Sequence, residues 1–197
     1  MKPPSVASSR LTSLLARRVV VWPLIVLPAA FVLIEYYFDT ISYGQAILTS
    51  GQWSIGFLCA ALLATPLKRL FPNKKTTQLL LRHRRAFGVA SFAFASIHTA
   101  IYLEKKWPAT LVLKEGQDPS LLTGWIAFLL FLPLAVTSNN ISVRKLGRSW
   151  KTLHRFVYIA AVFGFAHWAL TNFYPATALY IGGGILLIEL SRFRGKI

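Results

Sequence analysis

Acidic residues are scarce in this chain. Six Asp and Glu stand against 22 Lys and Arg in 197 residues, for a formal net charge of +16. Carboxylates are nearly missing from its apolar stretches, where Glu35 and Glu189 lie near segment ends. That counts against a transporter built on a carboxylate proton relay, and no inverted repeat is visible to support one. Cysteine is reduced to Cys59, which excludes an intramolecular disulfide and any cysteine-held metal cluster. There is no glycine-rich dinucleotide fingerprint, no room for a soluble flavin domain, no low-complexity tract and no clear internal repeat.

Apolar residues make up 55% of the chain, and its mean hydropathy is +0.53. That is too apolar for an ordinary soluble domain. Six stretches approach the length needed to cross a bilayer core of about 30 Å. They are Val19 to Phe38, Trp53 to Leu67, Ala86 to Leu103, Leu121 to Thr137, Leu153 to Leu170 and Ala176 to Leu190, with the second and sixth short. Pro23 and Pro28 predict a kink in the first. The expected fold is an all-α integral membrane bundle of about six transmembrane helices. Residues 1–18 form a basic cytoplasmic segment, 19–192 the membrane domain and 193–197 a cytoplasmic tail. The first apolar run is near full membrane length and no small-residue cleavage site follows it, so it reads as a retained helix.

The positive charge is not spread as a nucleic-acid-binding surface requires. Nineteen of the 22 basic residues fall in the N-terminus, the second-to-third and fourth-to-fifth connections, and the C-terminus, all on one side of a six-span topology. The other side keeps Lys105, Lys106 and Lys114, together with most of the acids. The positive-inside rule puts both termini in the cytoplasm, with attraction to anionic membrane lipid as an added effect. Nucleic acid is not an expected partner.

Two histidines lie deep in apolar segments, His98 in the third and His167 in the fifth, and His154 opens the fifth. Ionisable groups at membrane depth default to function, and neutral imidazole is a common haem ligand. Counting about 1.5 Å per residue from the inner edge puts His98 roughly 18 Å and His167 roughly 21 Å up. Matching depth on two helices suits bis-histidine ligation of one haem, with small residues around both making room. Interhelical hydrogen bonding by buried histidines is the plainer alternative. His154 lies about 20 Å below His167 and roughly 140° off its face in an ideal helix, which works against a strict two-haem stack. His83 would lie at a similar depth to His154 and is a possible partner for it, but in Arg82-His83-Arg84-Arg85 it reads first as part of a solvated basic cluster.

Several motifs in order carry a resemblance. Thr65-Pro66-Leu67-Lys68 closes the second segment. Arg84-Arg85-Ala86-Phe87-Gly88 opens the third, followed by His98 and Tyr102. Pro133-Leu134-Ala135-Val136-Thr137-Ser138 closes the fourth. Arg144-Lys145-Leu146-Gly147, Trp150 and Leu153-His154-Arg155 lead to Tyr158 and His167-Trp168. From about Ser50 to Leu190 the chain resembles the MsrQ (YedZ) family, within the ferric-reductase-like transmembrane group. It departs at Gly51-Gln52, where the family carries Gly-Arg, and at residues 119–124, where the family has a Pro-Tyr-Ile-Thr-like run.

The resemblance implies a subunit of the bacterial inner membrane with haem b, one or two per chain, and FMN. It implies electrons drawn from the quinone pool or a cytosolic flavin reductase and passed to MsrP. MsrP is a periplasmic molybdopterin reductase that repairs methionine sulfoxide in oxidised proteins, so the catalytic step belongs to another chain. The expected cofactor-binding residues are His98, His167, His154, Arg85 and Arg155. The three histidines are the metal ligands, and the arginines pair with haem propionates. Arg84, Arg85 and Arg148 are candidates for an FMN phosphate. Phe94, Tyr102, Phe163 and Trp168 are expected to pack the macrocycle. The rival readings are a ferric-reductase-like or oxidase-type cytochrome b subunit, and a cofactor-free transporter or scaffold.

Overall fold

The computed structural model describes residues 18–107, 109–171 and 175–190, and the regular structure among them is entirely helical. The helices in chain order are α1 (Arg18–Tyr37), α2 (Tyr43–Leu70), α3 (Lys75–Lys105), α4 (Ala109–Glu115), α5 (Pro119–Val136), α6 (Asn140–Leu146), α7 (Arg148–Thr171) and α8 (Pro175–Leu190). Four of them, α2, α3, α5 and α7, are long and apolar enough to cross a membrane; α1 and α8 are shorter apolar helices. Residues 1–17 and 191–197, which hold the basic N-terminal segment and the tail, lie outside the described residues.

The second and third spans are longer than their hydropathy suggests. α2 starts at Tyr43, ten residues before Trp53, because Ser42 caps it. The Ser42 hydroxyl accepts from the Gln45 N–H, and the Gln45 side chain accepts from the Ser42 N–H, which satisfies two donors at the helix start. Two of the polar residues in this stretch, Ser50 and Ser54, turn inward. Ser50 is fully buried and donates to the carbonyl of Ala46 at 2.7 Å, and Ser54 donates to the carbonyl of Ser91 on α3 at 2.9 Å. α3 starts at Lys75, so most of the basic stretch expected to be a connection is helix. Short α4 and α6 lie in the connections on either side of α5. Asp118 caps α5, with Pro119 in the first turn where its missing N–H is harmless.

Two long helix pairs organise the bundle: α2 packs along α3, and α5 along α7, with α8 against α7 and α1 against α2 and α3. Small residues line these contacts. Ala46, Ala61, Ala64, Ala90, Ala160 and Ala178 are buried, along with Ser50 and Ser91. Backbones approach closely where side chains are small, the usual mode of helix packing in lipid. One core joins Leu58 and Leu62 of α2, Ala127, Phe131 and Leu134 of α5, Ala160 and Ala161 of α7 and Ile185 of α8. Large apolar side chains cover the outside, among them Leu27, Phe31, Leu129, Val136, Val162 and Leu187. In water so broad an apolar surface would drive association, whereas in lipid it is the solvent-matched face. The chain is a multi-pass membrane protein.

Candidate functional site

His98 on α3 and His167 on α7 meet across the bundle. Their ring centroids are 6.1 Å apart and their planes lie at 88°. Each ring is tied down from behind by a different helix. The Nδ1–H of His98 donates to the carbonyl of Ile47 on α2 at 3.0 Å, and that of His167 to the carbonyl of Ser120 on α5 at 2.7 Å. A carbonyl only accepts, so each Nδ1 carries the proton and each Nε2 keeps its lone pair. This is how metal-binding histidines are commonly oriented, with the second nitrogen bonded to a backbone oxygen.

A glycine completes each cradle. Gly51 is four residues after Ile47, and Gly124 four after Ser120, one turn further along the same helix face. A methyl group at Gly51 would stand 3.3 Å from His98 Nδ1. At Gly124 it would stand 2.8 Å from His167 Nδ1 and 2.9 Å from its Cε1. The unit of carbonyl, glycine and histidine therefore occurs twice, once in the α2–α3 pair and once in the α5–α7 pair. Interhelical bonding alone accounts for each Nδ1 contact. It does not account for two such rings converging on one another.

The centroid separation fits a metal that the two imidazoles would share. With metal–nitrogen bonds of about 2 Å on either side, two imidazole centroids come to roughly 6 Å apart. The pair would supply two imidazole nitrogens and no carboxylate or thiolate, a donor set that a haem iron takes. Among the described residues, no group of three or more His, Cys, Asp and Glu is placed to hold a bare metal ion.

His154 sits in a different setting near the N-terminal end of α7. Its Nε2 is 3.1 Å from the Thr137 hydroxyl, and that hydroxyl donates to the carbonyl of Pro133. Thr137 Oγ1 therefore accepts from Nε2–H. The Trp150 ring stacks on His154 at 4.0 Å, and its indole N–H donates to the carbonyl of Thr137 at 2.9 Å. Both His154 and His167 bond to α5 or its C-cap despite their ideal phase difference, one at each end of that helix.

Arg84 reaches α2, donating from Nε to the Ala61 carbonyl and from Nη1 to Thr65 Oγ1. Arg85 donates to Asn140 Oδ1 at 2.7 Å. Both act electrostatically on His154. Arg155 and Arg148 are exposed on α7. Of the expected aromatics, Phe94 is fully buried and stacks on Trp53, Tyr102 bonds Glu115, and Trp168 packs against Phe165.

One expectation is overturned. His83 is 3% exposed, not solvated: its ring packs edge-on to Phe87, inside the bundle rather than with Arg82 and Arg85 at the surface. At helical spacing, a histidine one position from two arginines occupies a different face, and this one turns toward α1. The two glycines were not singled out as site residues. Their placement at the N-terminal ends of the second and fourth apolar segments is the signal that marks them.

The fold and site together define a helical membrane protein with paired imidazoles at one depth. A family model described as ferric reductase like transmembrane component matches residues 50–165. The protein-methionine-sulfoxide reductase heme-binding subunit MsrQ of Ralstonia nicotianae is 36% identical over 165 residues, 79% of this chain and 73% of that relative. The MsrQ proteins of Brucella anthropi and Brucella ovis are 35% and 36% identical and cover 73% and 72% of this chain. The chain spans 65% and 66% of their lengths. No solved structure matches. The chain belongs to the MsrQ family, within the ferric reductase-like transmembrane proteins.

Proposed function

We propose that this chain is the haem-binding, electron-carrying membrane subunit of a methionine sulfoxide reductase system. The observation that carries the reading is the convergence of His98 and His167, each with Nδ1 bound to a carbonyl and a glycine behind it. Haem b, when bound, supplies one-electron chemistry between ferric and ferrous iron. The chain's own residues hold it by two Nε2 atoms, fix ring orientation through Ile47 and Ser120, and keep water out with Phe94 and neighbouring rings. The names of the curated relatives support the cofactor and the reductase partnership.

The finer reading follows from charge and family. In a bacterial inner membrane, six spans with both termini in the cytoplasm would leave the histidine pair in the periplasmic half. Electrons enter near the basic face from the quinone pool or a cytosolic flavin reductase and leave outward to MsrP, for repair of oxidised periplasmic proteins. His154 ligates or steers a second inner cofactor, a further haem or FMN, beside Trp150, Arg84 and Arg85. The bond from its Nε2 to Thr137 favours steering, since ligation through Nε2 requires the threonine to turn away. Exposed Arg155 can reach a propionate or phosphate only at the inner surface. A cofactor-free metal relay is less well supported, because the described residues gather no carboxylate or thiolate beside the imidazoles.

The test is haem retention. His98→Ala and His167→Ala, expressed and inserted like the wild type, are each expected to lose the bound haem. Wild-type haem content in both purified variants would sink the assignment.

A further inference from the structure

A hydroxyl inside a membrane helix has no water to bond, so it turns back to the carbonyls three and four residues before it. Ser96, Thr137, Ser138 and Thr171 all do this, and the carbonyls they use orient no histidine ring. Ser50 and Thr123 differ. Each stands immediately before a cradle glycine, Gly51 or Gly124, and three residues after the residue whose carbonyl holds a histidine. Ser50 Oγ donates toward the Ile47 carbonyl at 3.1 Å, and that carbonyl accepts from His98 Nδ1–H at 3.0 Å. Thr123 Oγ1 donates to the Ser120 carbonyl at 2.7 Å, and that carbonyl accepts from His167 Nδ1–H at 2.7 Å. In both cradles one oxygen faces two donors, a ring N–H and a hydroxyl.

The sharing is unequal. A hydroxyl has one proton and gives it chiefly to the nearer acceptor. Ser50 is nearer the Ala46 carbonyl, at 2.7 Å, than that of Ile47. Thr123 is nearer the Ser120 carbonyl than that of Pro119, which is 3.0 Å away. The Thr123 hydroxyl is therefore directed at the carbonyl that orients His167, whereas the Ser50 hydroxyl is directed mainly past the one that orients His98. Ser50 Oγ is also 3.4 Å from His98 Nδ1, a distance at which it adds little.

An oxygen that accepts two protons offers less electron density to each. The bond at the far nitrogen tunes a ligating imidazole: the stronger the Nδ1–H···O bond, the more basic Nε2 becomes and the more it favours ferric over ferrous iron. We infer that Thr123, and Ser50 to a smaller degree, are positioning residues that raise the reduction potential of a haem held by His167 and His98, by occupying part of the carbonyl to which each Nδ1–H donates. The inference rests on the haem reading above and adds to it the side chains that tune the ligands without touching iron.

Equilibrium redox titration of the purified holoprotein tests this in the wild type, Thr123→Val, Thr123→Ser and Ser50→Ala. Valine keeps the shape of threonine and removes the donor; serine keeps the donor. Loss of one competing bond is expected to shift the ferric–ferrous balance of Thr123→Val about threefold toward ferric, a midpoint lower by about 28 mV for one electron. Its haem content is expected to match the wild type, and its ferric EPR spectrum to span a narrower range of g values. Thr123→Ser should keep the wild-type midpoint, and Ser50→Ala should move it in the same direction by less. A midpoint unmoved or raised in Thr123→Val, with haem retained, would overturn the inference and leave the haem reading standing. So would a serine variant that shifts as far as valine, because altered packing and not the lost donor would then be the cause. If Thr123→Val loses its haem, the sign of the shift in Ser50→Ala decides. A wild-type protein without haem would remove the haem reading and this inference together.

Discussion

Gly124 is where one methyl group would disturb the site most. Its Cβ would stand inside contact distance of two atoms of the His167 ring, whereas one at Gly51 would press on His98 more lightly. Forcing a side chain into packed space costs roughly 1–3 kcal/mol, and here the ring that must yield is a proposed ligand. Gly124→Ala is therefore expected to weaken haem retention or shift the haem absorption bands, and Gly51→Ala to do so less. Equal, wild-type spectra and haem contents for both would show that the glycines do not seat the rings. His98 and His167 were legible as a pair because depth in a helix can be counted from sequence, and the structure brings them together. Their cradles were not, because a carbonyl four residues before a glycine gains meaning only when another helix lies across it. His83 misled for a related reason: its neighbours Arg82, Arg84 and Arg85 set the composition of the stretch, but a single position changes the face by about 100°.

The elements were legible where hydropathy is unbroken, as in α5 and α7, and misjudged where polar residues point inward. The N-terminal part of α2 reads as a connection because Ser50 and its neighbours lower the average, yet Ser50 is fully buried and bonded to its own helix. Its N-terminus depends on the capping box at Ser42. Ser42→Ala is expected to lose about 1 kcal/mol and to raise amide exchange over the first turn of α2. Unchanged exchange there would show the cap to be idle. The C-terminal end of α3 is clasped to α4 through Glu115, which accepts from Lys106 Nζ at 2.8 Å and from Tyr102 Oη at 3.2 Å. The bond from Lys106 holds the Glu115 carboxyl below its ordinary range, and Glu115 raises Lys106. A depressed carboxylate contributes above its unfolded pKa and is lost as pH falls through the folded value. A raised lysine contributes below its unfolded pKa and is lost as pH rises through the folded one. Protection over residues 109–118, taken relative to intrinsic amide exchange at each pH, is therefore expected to be greatest at neutral pH and to fall at both extremes. The acid limb should vanish in Glu115→Gln; an acid limb that persists in that variant would assign it elsewhere. The effect is small, because the pair is exposed.

At the scale of the molecule, one chain joins two similar helix pairs, α2–α3 and α5–α7, each contributing one imidazole. That duplication is invisible in the sequence, which shows no clear repeat, because it resides in contacts and not in residue identity. The class of the fold was legible from apolar length alone. The orientation proposed from charge predicts that alkaline phosphatase fused within residues 109–118 is active and fused at the C-terminus is inactive; the reverse pattern would invert the bundle and the direction of the relay. His154→Ala is expected to leave the outer haem spectrum intact and slow electron entry, and unchanged transfer would remove His154 from the path. The central claim is that the two imidazoles bind one haem between them. Its most direct test is the dithionite-reduced minus oxidised spectrum of the protein purified in mild detergent, with haem quantified per chain. The account predicts a b-type spectrum that disappears in His98→Ala and in His167→Ala, and a protein that stays colourless when expressed with ample haem would contradict it.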